Sequence, residues 1–420
     1  DKYAVKSDYN QSEVRYMSYF WKNGLVELKM IREEDSHNFY DVLMDTQTRK
    51  QAEHGIYLPA TVQYAKDMAD NAMVNNEEGD ELWFSIRNMD EEPVGYAVID
   101  WINEKMGNAQ LSITVYRQYR GLGYAGSAAS ILLEYLFNER RFHKVGCNIM
   151  EDNEEGRTFV ESMGFTLDAF RSGMFYTGGH YTGELYYSLL DFEYNGTGTD
   201  KERERKNYKG FEVFDSTLGN SEKHTAKGPL VWEQRPYYWE YDGIVLSDMN
   251  EEEYRINHGM IYDTESCIFF DSDVKLPYEP DSLSDFEAEH LNFGCEDDRI
   301  EFSIWDLEDN YAGCINLCGI DKKNGKFSFS VYILPEYRGK GYSVKALKLV
   351  LNYAFNELRM NKMVSCVNMG NDASAAMMRS VGCVVEGVSR DSEYYHGHYV
   401  DTVMFGLTAE DFKKHCTDSK

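Results

Sequence analysis

Basic residues are scarce in this chain. Lys and Arg number 43 against 72 Asp and Glu, a formal net charge of −29. A phosphate backbone is repelled by such a surface, which removes nucleic acid from the expected partners and leaves cationic small molecules or basic peptides attracted to it. Long apolar runs are missing as well. No stretch of about 18 apolar residues occurs, and the opening DKYAVKSDYN has nothing of signal-peptide type. The chain is therefore expected to be soluble and cytoplasmic, without a membrane partner. Its eight cysteines form no CxxC pair and no Cys/His spacing suited to zinc, so no metal is expected and the thiols read as reduced and mostly buried.

What is present is a repeat. At 420 residues, 42% of them hydrophobic, the chain has material for about two cores. Shifted by 218 positions the sequence falls on itself: YRGLGYAG at Tyr119 meets YRGKGYSV at Tyr337, and YLFNERRFHK at Tyr135 meets YAFNELRMNK at Tyr353. The same shift carries Trp21 to Trp239, Gly95 to Gly313, Asn153 to Asn371 and His180 to His398. A constant offset over so long a span means two copies of one domain. Their expected limits are 1–195 and 231–420, with a polar linker at 196–230 that includes GTGTDKERERKNYKG. Trp21 and Trp239 read as packing for the first strand of each copy, and His180 and His398 as turn residues.

Within each copy the periods change in one order. LSITVY and KFSFSVYIL alternate with period two, as strands do; a glycine turn follows; then Ile131, Tyr135 and Phe137, or Leu347, Leu351 and Ala354, recur at helical spacing. KVGCNIM and KMVSCVNM then resume a strand. The expected class is α/β, an α+β mixed sheet, in two tandem domains.

Gly121, Gly123 and Gly126 spell GxGxxG, the turn of a dinucleotide site, but that turn needs its third glycine for helix–strand packing, and the second copy has Val344 there. What both copies share is Arg-Gly-x-Gly-Tyr with Ala or Ser next. Glycines admit a ligand close to the backbone, unpaired N–H groups at a helix start favour an anion, and the arginine adds charge-assisted bonds. This combination is a pyrophosphate cradle.

At these residues the chain resembles the GNAT N-acetyltransferase family, whose signature (Q/R)-x-x-G-x-(G/A) fits Arg120, Gly121, Leu122, Gly123, Tyr124 and Ala125. Arg338, Gly339, Lys340, Gly341, Tyr342 and Ser343 fit all but the last position. NEEGRTFVESMGF and NDASAAMMRSVGC look like the family's Asn-led helix, beginning at Asn153 and Asn371. The resemblance implies a mixed central sheet with helices on both faces, and acetyl-CoA or another acyl-CoA as co-substrate. The loop after the fourth strand would hold its pyrophosphate, and the pantetheine would lie between two splayed strands.

Acyl transfer to an amine needs a base for the amine and an acid for the departing thiolate. The family's frequent tyrosine is replaced by Val160 and Met378, and its frequent strand glutamate by Gln110 and Ser328. The tail of the second copy resembles the branch of ribosomal-protein N-terminal acetyltransferases, in which Ser374 would be the acid and Glu386 the base. The first copy has Gly156 and Asp168 there. Equally open are a helix-start role for Ser374 and a structural pairing of Glu386 with Arg390. The expected activity is acetylation of an amine, be it a small molecule, polyamine, antibiotic or protein N-terminus, with the second copy catalytic. The alternative is a non-catalytic acyl-CoA-binding sensor or scaffold. Segments from about His37 to Asp80 and Arg255 to Asp298 are expected to shape the acceptor side, and the doubled chain is expected to act as a monomeric pseudo-dimer or as a homodimer.

Overall fold

The computed structural model describes residues 19–52, 58–79, 81–198, 239–258 and 298–417. The linker beyond residue 198 and the acceptor segment at 259–297 lie outside these residues. The first repeat contains β1 (Val26–Met30), α1 (Ser36–Met44), α2 (Thr46–Ala52), α3 (Val62–Glu78), β2 (Leu82–Asn88), β3 (Pro93–Asn103), β4 (Asn108–Val115), α4 (Tyr124–Glu134), β5 (Lys144–Met150), α5 (Glu154–Ser162), β6 (Thr166–Thr177), β7 (His180–Leu190) and α6 (Asp191–Asn195). The second contains β8 (Glu240–Tyr241), β9 (Ile244–Ser247), α7 (Glu251–His258), β10 (Ile300–Asp306), β11 (Tyr311–Asp321), β12 (Lys326–Ile333), α8 (Tyr342–Asn352), β13 (Lys362–Asn368), α9 (Asp372–Ser380), β14 (Val384–Tyr395), β15 (His398–Thr408) and α10 (Ala409–Thr417). The order strand, glycine turn, helix, strand read from the periods is present in both. No helix of the described residues is long and apolar enough to cross a membrane.

Compactness does not follow the repeats. One unit comprises Asp1–Thr48, Pro59–Trp101 and Leu111–Arg141; the other comprises Arg49–Leu58, Ile102–Gln110 and Phe142–Lys420. In the first unit β1, β2 and β3 pair antiparallel, and α1 and α3 bury Phe39, Leu43, Ala65, Ala69 and Ala72 with Ile31. Trp21 packs on Phe84 and Tyr135, with ring centroids 5.2 and 4.8 Å away. Trp239 repeats the arrangement in the other unit on Phe302 and Tyr353, at 4.8 and 4.9 Å.

In the second unit the strands run β5–β7–β6–β14–β15–β13–β12–β11–β10–β9–β8. Among the described residues, parallel pairing is confined to β4 with β5 and β12 with β13. The β12/β13 ladder has only two pairs, Lys326 with Lys362 and Phe327 with Met363, before the strands part.

The repeats meet where β6 and β14 touch at Ala169 and Gly387. These positions are equivalent under the shift of 218, so a residue meets its own counterpart, as across an isologous two-fold axis. A Cβ on Gly387 would lie 2.1 Å from that of Ala169, so the axis has room for one methyl group and not two. Beside it, buried polar groups repeat. Lys144 donates to Asp168 at 3.2 Å and to the Arg390 carbonyl at 2.5 Å. Lys362, its counterpart, donates to Glu386 at 2.5 Å and to the carbonyl of Ser172, the counterpart of Arg390.

Only the first repeat adds a histidine. His143 lies between Asp191 and Asp391, at 3.2 and 3.4 Å, with its ring stacked on Tyr399 at 3.8 Å. Burial opposes its charge, but hydrogen bonds to Asp191 and Asp391 outweigh that and hold its pKa above the usual value.

Two outcomes are expected. Gly387→Ala should lower stability by about 1–3 kcal/mol in urea unfolding, because the overpacked strands must move apart. Because the native His143 pKa is raised, its contribution is complete below the unfolded value of about 6.5 and is lost as pH rises through the native one. Unfolding midpoints at pH 6 and 8 should therefore differ more in the parent than in His143→Asn, the residue the second repeat uses.

Candidate acyl-CoA cleft

In both repeats the glycine turn has the same backbone. Gly121 and Gly123 have φ of 76° and 84°, Gly339 and Gly341 of 76° and 78°, a left-handed region that favours glycine. Gly123 and Gly341 are the N-caps of α4 and α8, and no side chain caps either helix. Their first N–H groups are thus left for an external acceptor. A Cβ on Gly339 or Gly341 would meet nothing within 4 Å, so the space above the turn is open. The same holds at Gly126, the third glycine of the dinucleotide pattern: no neighbour packs against it, and the reason for that glycine in a dinucleotide site is absent.

The arginines brace these turns. Arg120 Nε donates to the Val115 carbonyl at 3.2 Å and Arg338 Nε to the equivalent Ile333 carbonyl at 3.0 Å. Arg120 also reaches Thr48 Oγ1 at 2.7 Å. Upstream, Gly95 and Gly313 admit a carbonyl of the next strand: a Cβ would sit 2.3 Å from the Thr114 oxygen or 2.1 Å from that of Tyr332. The strand leading into each turn is thereby pressed onto its neighbour.

Where β12 and β13 part, a cleft of about 520 Å³ opens. Arg338, Gly339, Gly341, Tyr342 and Ser343 line one end, Asn371 and Ser374 another, and Met377 and Met378 give it apolar wall. Lys340 lies off this lining, its ammonium 4.5 Å from the Tyr337 ring centroid. Asn371 caps α9, its Oδ1 accepting the Ser374 N–H at 3.1 Å, and Asn153 caps α5 through Gly156 at 2.9 Å. In the first repeat Arg120 to Ala125 belong to one compact unit and Asn153 to the other, and each stands by itself.

Glu386 is elsewhere. Its side chain is 6% exposed and is absent from the cleft lining; Oε1 accepts from Lys362, from the Ser172 N–H and from Ser172 Oγ. The pairing with Arg390 anticipated from sequence is not formed. Arg390 binds Asp168 at 2.7 Å and Glu193 at 2.9 Å. Both departures have one cause: β14 abuts β6, so its inward side chains are sealed between the repeats. No carboxylate lines the cleft among the described residues.

Of the thiols expected to be mostly buried, Cys147 and Cys383 are buried, and Cys366 lines the cleft. Sequence reading also missed Lys144 and Lys362. The available signal was a lysine opening an otherwise apolar strand at the same place in both copies.

The sequence profile of the acetyltransferase (GNAT) domain matches residues 26–166 and 261–384. This chain belongs to that family. It is 28% identical to an uncharacterized N-acetyltransferase derived from the SPbeta prophage in Bacillus subtilis, YokL, over 42% of this chain and 96% of that protein. A putative ribosomal N-acetyltransferase of B. subtilis, YdaF, is 32% identical over 24% of this chain and 56% of its own length. The spermidine N(1)-acetyltransferase of Escherichia coli K12 is 28% identical over 30% and 67%. Among solved structures, a Vibrio cholerae spermidine N-acetyltransferase with CoA and spermine aligns with 41% of this GNAT chain and 98% of its own, at 21% identity and a TM-score of 0.37.

The placement of Glu386 has a measurable consequence. Glu386→Gln leaves the buried Lys362 ammonium without its counter-charge and should cost about 3–5 kcal/mol in urea unfolding. Calorimetric binding of acetyl-CoA to the folded variant should match the parent, because the cleft lining is unchanged.

Proposed function

We propose that this GNAT protein transfers the acetyl group of acetyl-CoA to an amine, with the cleft of the second repeat as the reaction site. The observation that carries the reading is the parting of β12 and β13 directly before two left-handed glycines and an uncapped helix. Such a site offers N–H donors to a pyrophosphate and an apolar-walled slot to the arm that follows it. Arg338, Gly339, Gly341, Tyr342 and Ser343 would hold the nucleotide end. Acetyl-CoA supplies the activated thioester: the amine nitrogen bonds to its carbonyl carbon, the C–S bond breaks, and the amine loses a proton while the thiolate gains one. Ser374 lines the cleft, which supports the reading of it as the acid that protonates the thiolate.

With Glu386 sealed in the repeat interface, the cleft as described has no carboxylate base, and the amine proton goes to water. The acceptor class is a cationic amine. The net charge supports this. The spermidine-acetylating relatives point to the same class. Described thiols without disulfide partners fit a reducing, CoA-containing cytoplasm.

A second reading, acyl-CoA binding without turnover, is favoured by the same missing carboxylate. Release of free thiol separates the two: spermidine and simple diamines should give CoA release in the parent and none in Arg338→Glu. Because water takes the proton, kcat/KM should climb about tenfold per pH unit from pH 6 to 9, toward the amine pKa near 10.4. A plateau near neutrality would reveal an enzyme base, and binding without release under all conditions would establish the sensor.

A further inference from the structure

One polar side chain of the cleft is oriented from behind. Asn368 ends β13 and lines the cleft. Its Oδ1 accepts from Thr402 Oγ1 at 2.9 Å, and Thr402 Oγ1 accepts from Ser392 Oγ at 2.7 Å. The Ser389 carbonyl competes for the single Ser392 hydrogen from farther away, at 3.2 Å, so that hydrogen goes to Thr402. Thr402 has one hydroxyl hydrogen, and with Ser392 as its donor that hydrogen goes to Asn368. An amide pinned by its oxygen presents its NH₂ the other way, and this nitrogen donates to no described residue.

The relay belongs to the second repeat alone. The equivalents of Asn368, Thr402 and Ser392 are Met150, Glu184 and Met174. Met150 and Met174 are buried together with Phe175 in an apolar cluster. The second repeat thus sets a fixed, unpaired donor against a slot walled by methionine and valine, where any carbonyl that enters must lose its water.

We propose that Asn368 is a substrate-contacting residue, donating its side-chain N–H to a carbonyl oxygen of the acylated pantetheine arm, and that Thr402 is the positioning residue which turns the amide to do so. This rests on the acyl-CoA reading of the cleft. The test is calorimetric titration of the full chain with acetyl-CoA and, separately, with 3′-phosphoadenosine 5′-diphosphate, which has the nucleotide end but no arm. Asn368→Asp keeps the acceptor for Thr402 and removes the donor; it should weaken acetyl-CoA about tenfold and leave the nucleotide within about twofold, the size expected for one buried hydrogen bond. Thr402→Val should reproduce that selective loss and Thr402→Ser should restore parent affinity, which a loss of packing alone would not do. Equal weakening of both probes, or acetyl-CoA binding by Asn368→Asp within twofold of the parent, would overturn the assignment. A parent chain that binds the nucleotide and not acetyl-CoA, or neither, would instead overturn the acyl-CoA reading beneath it.

Discussion

Two buried lysines set the terms for the rest of the structure. Lys144 and Lys362 open central strands and are almost completely enclosed, a position an ammonium tolerates only with a counter-charge and further acceptors. Each finds its carboxylate in its own repeat, Asp168 or Glu386, and a backbone carbonyl in the other, Arg390 or Ser172. The two halves are therefore joined by bonds that neither half can complete. This is why β5 to α6 of the first repeat share a compact unit with the whole second repeat.

Around that lock the copies have diverged in compensated pairs. Asp168 is accompanied by Ser188, whose hydroxyl binds it at 2.7 Å. Glu386 is longer by one methylene, and its companion at the Ser188 position is Gly406, where a Cβ would lie 2.5 Å from the carboxyl carbon. Volume is conserved while a hydrogen bond is not: Glu386 Oε2 is buried without a partner. The axis itself shows the same economy of space, with alanine on one side and glycine on the other. Two copies carried on one chain can break symmetry in this way, whereas two identical chains would have to place the same residue twice.

The cleft follows from the same strands. β13 is paired through its whole length with β15, Lys362 to Asn368 against Thr408 to Thr402, and only its first two residues pair with β12. A strand held firmly on one side and released on the other leaves a row of backbone groups and side chains facing an opening. Lys362 sits at the closed end of that opening and Asn368 at the far end. The repeat interface, at β14 and β6, lies two strands away from the cleft-bordering β13, and the first residue of β13, Lys362, reaches it through the Ser172 carbonyl.

Much of this was legible without coordinates. The doubling is a match of the sequence to itself, and the order strand, glycine turn, helix is a property of short segments: period and turn chemistry depend on neighbours a few residues away. Also legible were the helices led by Asn153 and Asn371, whereas Trp21 and Trp239, expected to pack the first strand, have their ring contacts with Phe84 and Tyr135 and with Phe302 and Tyr353. The fate of Glu386 was not legible, nor that of Arg390 or Cys366. Glu386 and Ser172 meet across 214 residues, and Arg390 and Asp168 across 222. Whether a strand carboxylate faces substrate or a buried lysine is decided by which strand lies beside it, and that pairing arises only when the two repeats close on each other.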